Sequence, residues 1–383
     1  DIFIPVGNNI QCWEFNSGTG QMVNRWTTST NCVTSNRRHL DLIDLNNDGI
    51  PEVIPNGGRI VNSITGYVYP GDLPALDPDG KGLYAYTALA TPGFAPFGEG
   101  NVEIICGTSL VRYDFLNEEW VAVRQQTNYN WGPQANVSIA DMDLDGDVDG
   151  VIVNHASGEA LIWDLQTNSI LGGGVFDFPG ALGSRPVIAN FDDDDYPEMA
   201  MTSAGRIFAI DDIITTSGFG NIIWAASTND PSGYTQLSAF DFEGDDKQEL
   251  LYRDQNQFLI YSGGGTGIPS GGFPSGALVL QSPSVSPIAC SSETGMEYPT
   301  VGDVDGDGAA EVIISCQGGV SILESGTFPW RTAMEVWNMN AYSVTNINQD
   351  GSIPSFPREN FWTHNNFLTQ VSQYEPHIPD STL

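Results

Sequence analysis

Five nine-residue acidic segments recur along this chain, and they constrain its fold more than any other feature. They begin at residues 44, 141, 190, 241 and 303, and each sets oxygen-bearing side chains at positions 1, 3, 5 and 9. The first reads Asp44, Asn46, Asp48 and Glu52. The second reads Asp141, Asp143, Asp145 and Asp149, with Asp147 added at position 7. The others are Asn190, Asp192, Asp194 and Glu198; then Asp241, Glu243, Asp245 and Glu249; then Asp303, Asp305, Asp307 and Glu311. Together they hold 22 of the 48 acidic residues in 45 of 383 positions. The steps between them are 97, 49, 51 and 62 residues. A period of this size, built of short strands, is the mark of a β-propeller, because one such unit cannot bury its own apolar faces.

Oxygens at alternate positions of a tightly curled loop converge on one centre, which is what Ca²⁺ requires of its six to eight hard ligands. Position 7 would add a backbone carbonyl, from Ile50, Asp147, Tyr196, Lys247 and Ala309, and the acid at position 9 would close the cage. Position 6 calls for a residue tolerant of positive φ, and it holds Gly49, Gly146, Asp195, Asp246 and Gly308. Solvated acidic turns would explain one such segment but not five in register. About five calcium ions are expected.

The doubled first step points to a copy that has lost its metal near residue 95, where Glu103 and the apolar Ile104-Ile105 survive. A second degenerate copy starts at Asn346 and has Pro354 at its ninth position. Strand signals repeat within each unit: in one, Ser184–Ala189 leads into the loop, Glu198–Thr202 leads out, and Gly205–Ile210 and Asn221–Trp224 follow. The chain begins partway through this pattern, with Asp1–Val6 as a second strand, Ile10–Phe15 as a third and Gln21–Trp26 as a fourth. The missing first strand is available in Ala341–Thr345. The sequence therefore predicts an all-β, seven-bladed propeller over residues 1–354, its ring closed by pairing of N- and C-terminal strands. Residues 355–383 are expected to form a tail lying on the ring, anchored by Phe361, Trp362 and Phe367.

Composition bounds the function. Forty-three Gly and 23 Pro favour many short elements and tight turns. A formal net charge of −35, from 13 basic and 48 acidic residues, excludes nucleic-acid and anionic-membrane partners. No apolar run reaches the length of about 20 residues that spans a bilayer, so no membrane insertion is expected. Nine Trp, 13 Tyr and 18 Phe argue against disorder as the source of the acidity. No cleavable leader precedes Asp1, and a mature or excised form of an exported protein is expected.

The acidic segments resemble FG-GAP repeats of the VCBS type, related to the calcium-bearing blades of integrin α-subunit propellers. The resemblance spans about residues 36–354. The stretch from Val336-Trp337-Asn338 to Thr345-Asn346-Ile347-Asn348 is similar to the closing segment of such propellers in large bacterial surface proteins. It implies a secreted or cell-surface protein that serves in adhesion or in binding an extracellular glycan or protein, alone or beside other domains. The literal Phe-Gly and Gly-Ala-Pro signatures are largely absent, so no shared ligand is implied.

Other residues carry weaker signals. Cys12, Cys32, Cys106, Cys290 and Cys316 lack zinc or redox spacing. In an exported protein Cys12 could pair with Cys32 and Cys290 with Cys316; five small core residues are the alternative. His155 is expected in a surface turn. Arg37, Arg38 and His39 form the only cluster of basic residues, suited to an acidic sugar or to local charge balance. Trp13 and Trp163 are expected in blade cores. No catalytic residue can be singled out. A binding or adhesion module is the leading reading. A polysaccharide lyase, with Arg37, Arg38, His39 and His155 as its weak candidates, and a structural spacer are the alternatives.

Overall fold

The computed structural model describes residues 1–33, 39–55, 57–74, 85–87, 102–129, 131, 135–178, 180, 182–192, 194–211, 221–264, 267–270, 273–275, 278–281, 295, 297–316, 318–326, 330–354, 360 and 363–372. Among them the chain is all-β, and its strands fall into seven small sheets in chain order. The first holds Ile2–Val6, Asn9–Asn16 and Gln21–Thr27; the second, Leu40–Ile43, Glu52–Pro55 and Val61–Asn62. The third holds Ala85–Thr87, Glu103–Cys106, Ser109–Asp114 and Glu119–Gln125. The fourth is built on Ala135–Ala140, Asp149–Asn154 and Glu159–Asp164. The fifth is built on Val187–Ala189, Glu198–Ser203, Arg206–Asp211 and Asn221–Ser227. The sixth holds Ser238–Phe240, Glu249–Arg253, Phe258–Tyr261 and Leu278–Gln281; the seventh, Thr300–Gly302, Glu311–Cys316 and Gly319–Leu323.

The chain divides into two compact units, with the boundary inside strand Ala135–Ala140. The first comprises Asp1–Val137, Asn338–Ala341 and Thr345–Arg358; the second comprises Ser138–Trp337, Tyr342–Val344 and Glu359–Leu383. In the first unit, Ile10, Cys32, Val33, Val53 and Val61 form a core flanked by Phe3, Trp26 and Leu42, joining the first two sheets. In the second, Phe240, Leu251, Phe258 and Ile260 of the sixth sheet pack on Val301, Val312 and Ile314 of the seventh. Inner strands are therefore buried along their whole length, as is every residue of Glu198–Ser203. Outermost strands face water, as in Gln21–Thr27, where all but one residue is exposed. Trp163 is fully buried as expected, whereas Trp13 is half-buried with its indole N–H on Gln11 Oε1 at 3.0 Å.

In the second unit the C-terminal segment runs along the first strands of successive sheets. Asn365 clamps Asp141, the first residue of the fourth sheet's loop, donating to its carbonyl and accepting its amide, both at 2.8 Å. Phe367 exchanges backbone hydrogen bonds with Ile188 of the fifth sheet (2.9 and 3.1 Å). Ala239 of the sixth donates to Leu368 O and accepts from Gln370 N. Gln370 Nε2 donates to Val301 O of the seventh at 3.0 Å. Phe367 is 1% exposed, with the Arg185 guanidinium 5.6 Å from its ring centroid. Phe361 and Trp362 lie outside the described residues.

The expected closing strand is not formed. Val344–Asn346 is a single 3-10 turn, and among the described residues the first sheet ends at Ile2–Val6 with no fourth member. The backbone at 341–345 has other partners: Ala341 N donates to Asp41 Oδ1 at 2.9 Å, and Tyr342 O accepts from Leu368 N at 3.0 Å. The degenerate copy near 95 keeps its surviving acid in place: Glu103 opens the second strand of the third sheet. Thr87 pairs with Glu103, so the connection 88–102 is far longer than the eight residues that separate the paired Ile43 and Glu52. Most of it lies outside the described residues.

The expected Cys12–Cys32 pair is not formed, whereas Cys316 is in a disulfide as expected. Cys12 and Cys32 are free thiols, buried in the first unit. Cys32 Sγ lies against Thr28 Oγ1 at 3.5 Å, and burial pushes both thiols up. Cys106, also free and fully buried, is raised for the same reason. A thiol reagent at pH 8 is therefore expected to label none of these three in the native protein within minutes, and all three in denaturant. Mass-spectrometric counting of the adducts checks this.

Candidate metal centres

All five acidic segments occupy the same place, the turn from the first to the second strand of a sheet. The ninth acid is the first residue of the second strand, and it pairs with the residue just before the loop: Ile43 with Glu52, Ala189 with Glu198, Phe240 with Glu249, Gly302 with Glu311. Glu103 holds this place in the third sheet and is buried there.

The same hydrogen bonds curl each loop. The ninth carboxylate accepts the amide of position 2: Leu45 to Glu52 (3.1 Å), Met142 to Asp149 (2.8 Å), Phe191 to Glu198, Phe242 to Glu249 (3.0 Å) and Val304 to Glu311 (2.8 Å). The fifth side chain accepts the amide of position 7 in all five, from Ile50, Asp147, Tyr196, Lys247 and Ala309, at 2.8–3.2 Å. These are Asx turns, in which a short acid captures its own backbone two residues on. Asn46, Asp192 and Asp305 repeat the motif from position 3 to position 5. Positive φ occurs at position 6 in Gly49, Gly146, Asp246 and Gly308, and also at position 4 in Asn47, Leu144, Gly244 and Gly306. The second requirement was missed from sequence because Asn and Leu do not advertise it.

The first and ninth acids are buried while the middle ones face water. Asp44 and Glu52 are 1% and 0% exposed; Asp303 and Glu311 are 6% and 3%. Three groups of carboxylates converge with their oxygens within 4.8 Å of one another: Asp141, Asp143 and Asp149; Asp192, Glu198 and Asp211; Asp303, Asp305 and Glu311. Ca–O bonds of about 2.3–2.6 Å allow two ligands of one ion to lie up to about 5 Å apart, so all three groups suit a single ion each.

Without a cation these acids are poorly accommodated. Glu52 Oε1, Asp143 Oδ1 and Glu198 Oε1 are buried with no hydrogen-bond partner. Burial, reinforced by neighbouring carboxylates, pushes Glu52, Glu198 and Glu249 up to about 8 and Asp143 up to about 6. Asp149 is raised well above the ordinary range by burial. The orphaned oxygens of the loops at 44, 141 and 190 fit a bound divalent cation, and so does the convergent group at 303.

Two acids were missed from sequence. Asp211 ends the third strand of the fifth sheet, and Asp164 ends that of the fourth, where it pairs with Asp149. Asp164 adds to the repulsion that raises Asp143, Asp147 and Asp149. Hairpins of unequal length separate these residues from their loops, so no fixed spacing reveals them; only the strand register does.

The other candidates fare differently. His155 is buried, correcting the expected surface position: its ring stacks on Tyr234 (centroids 3.9 Å apart, 20° between planes) and its Nδ1 lies 3.0 Å from Gly183 O. Arg37 and Arg38 lie outside the described residues, and His39 is half-buried. A polar cleft of about 230 Å³ lies between the loop at 190 and the C-terminal segment, lined by Asp195, Tyr196, Asp246, Gln248, His364 and Asn366 among others.

No family model matches the chain, and neither does any curated protein sequence. Among solved structures, the V. cholerae biofilm matrix protein Bap1 superposes with a TM-score of 0.61 at 16% identity, covering 96% of this chain and 83% of that one. The two share a fold. The exotype rhamnogalacturonan lyase YesX aligns over 88% of this chain and 66% of its own at 14% identity, with a TM-score of 0.34. At that level the lyase bears on neither fold nor activity.

Proposed function

We propose that the chain is an extracellular, calcium-stabilised β-propeller that binds a glycan or protein ligand, as an adhesion or matrix module of a secreted or surface protein. The observation that carries this reading is the set of acidic loops repeated at one place in successive sheets, with buried carboxylate oxygens left for a cation. Asp44 and Glu52, Asp141 with Asp143 and Asp149, Asp192 with Glu198 and Asp211, and Asp303 with Asp305 and Glu311 would hold the ions. The C-terminal segment's contacts with three consecutive first strands, and with Asp141 just after a fourth, support a propeller, since first strands of blades line a common axis. A disulfide at Cys316 suits an oxidising, extracellular setting, where free calcium is also plentiful enough to fill such loops. A matrix role has a parallel in the biofilm protein that shares the fold.

The ligand is assigned to the polar cleft beside Tyr196. Planar amides and carboxylates beside one aromatic ring suit sugar hydroxyls, and Asp195 and Asp246 disfavour anionic sugars. A screen of neutral and amino-sugar glycans and matrix proteins, run with calcium and with chelator, tests the reading. Tyr196→Ala is expected to weaken the best hit by about tenfold, equivalent to about 1.4 kcal/mol, at unchanged melting temperature. Calcium-independent binding that ignores Tyr196 would defeat this assignment.

A further inference from the structure

Among the described residues, the loop at 241 differs from the other four in that a guanidinium sits on it. Arg331 Nη1 lies 2.7 Å from Asp241 Oδ2 and 3.8 Å from Asp246 Oδ1. A Cβ built on Gly244 would meet Arg331 Cδ, Nε and Cζ at 3.5–3.7 Å, so the side chain lies flat across the loop. The backbone of the same residue ties two loops together. Arg331 N donates to Phe242 O, at position 2 of this loop, and Arg331 O accepts from Ala310 N, at position 8 of the loop at 303.

The decisive comparison is at the first carboxylate. A carboxylate offers about four lone-pair sites. Asp241 fills them with Gly244 N (2.6 Å), Asp245 N (3.3 Å), Asp246 N (3.0 Å) and Arg331. Asp44, Asp141 and Asp303 accept loop amides in the same way, but among the described residues none of them takes a guanidinium. We infer that Arg331 replaces the metal ion in the loop at 241, so that this acidic loop is held by a covalently supplied cation while the other four take calcium.

Arginine stays protonated at any workable pH, and its planar fork suits a carboxylate. The junction between the sixth and seventh sheets would thus keep a calcium-independent clamp. The inference rests on the calcium reading for the remaining loops, and the experiment separates the two.

Native mass spectrometry of the full chain in millimolar calcium should count four ions. Arg331→Gln should count five, because it frees the carboxylate, whereas Arg331→Lys should stay at four. Melting in chelator adds a second readout: Arg331→Gln should melt lower than the parent in chelator, and calcium should recover part of the loss. A parent count of five that falls to four in Asp241→Asn would overturn the inference. A parent count of zero would sink the calcium reading instead. In that case an unchanged melting temperature of Arg331→Gln in chelator would overturn the clamp as well, and a lowered one would uphold it.

Discussion

Chelating calcium is expected to lower the melting temperature by roughly ten degrees or more. A site contributes about 2.7 kcal/mol when free calcium is a hundredfold above its dissociation constant. With four sites and an unfolding entropy of about 2.1 cal/mol/K per residue, the loss over a chain of this length is of that size. The physical cause is local. Asp44, Glu52, Asp141, Asp149 and Glu198 are all buried, and Oε1 of Glu52 and of Glu198 has no partner. Removing the cation leaves like charges together in a poorly solvated turn. Scanning calorimetry with and without chelator measures the shift, and equal melting curves would refute the structural role.

The pH dependence gives the same prediction an independent sign. In the metal-free protein, burial raises Glu52, Glu198 and Glu249 from an ordinary 4.5 to about 8. A carboxyl with a higher value folded than unfolded binds its proton more tightly in the native state. Its stabilising effect is complete below the unfolded value and is lost as pH rises toward the folded one. Metal-free protein should therefore melt higher at pH 5.5 than at pH 8. Calcium-loaded protein should do the opposite, since protons compete with the ion for the same oxygens. Parallel pH profiles for the two forms would contradict this account.

The sequence made the loops legible because their chemistry is local. Each Asx turn joins residues two apart, so the spacing of Asp48 and Ile50 or Asp307 and Ala309 carries the geometry within it. The strands flanking the loops were legible for a related reason: burial on both faces makes Val151-Ile152-Val153 a continuous apolar run shortly after Asp149. What escaped depends on partners distant in sequence. Asp211 joins Glu198 only through the register of the strand between them. The residues at 341–345 have β-like composition, yet Asp41 and Leu368 engage their backbone, and no local signal announces either partner. Cys12 and Cys32 look like a short-loop pair but serve as apolar filling, Cys32 beside Ile10 and Val53. Arg331 is one of 13 basic residues, and only its placement over Gly244 distinguishes it.

Substituting Gln370 is expected to be the most damaging single change in the C-terminal segment. The residue is 1% exposed, and its amide meets four groups. Oε1 accepts the Tyr342 hydroxyl at 2.7 Å and Val371 N at 3.1 Å, while Nε2 donates to Val301 O at 3.0 Å and to Val336 O at 3.3 Å. Gln370→Ala leaves a buried hydroxyl and two buried carbonyls without this partner, at about 1–3 kcal/mol each where nothing replaces it. Gln370→Glu is the sharper test, because it keeps the shape and the acceptor for Tyr342 but loses both donors and sets a carboxylate against two carbonyls. Both variants should melt well below the parent, and Gln370→Glu should recover at acidic pH, where its carboxyl can donate a proton again. Phe367→Ala, which empties a fully buried site on Ile188, should cost a comparable 3–5 kcal/mol but show no recovery on acidification. Melting curves of the three variants at pH 5 and pH 8, with calcium held in excess, read the difference. If Gln370→Glu and Gln370→Ala respond identically to pH, the amide is not the contact that holds the segment to the seventh sheet.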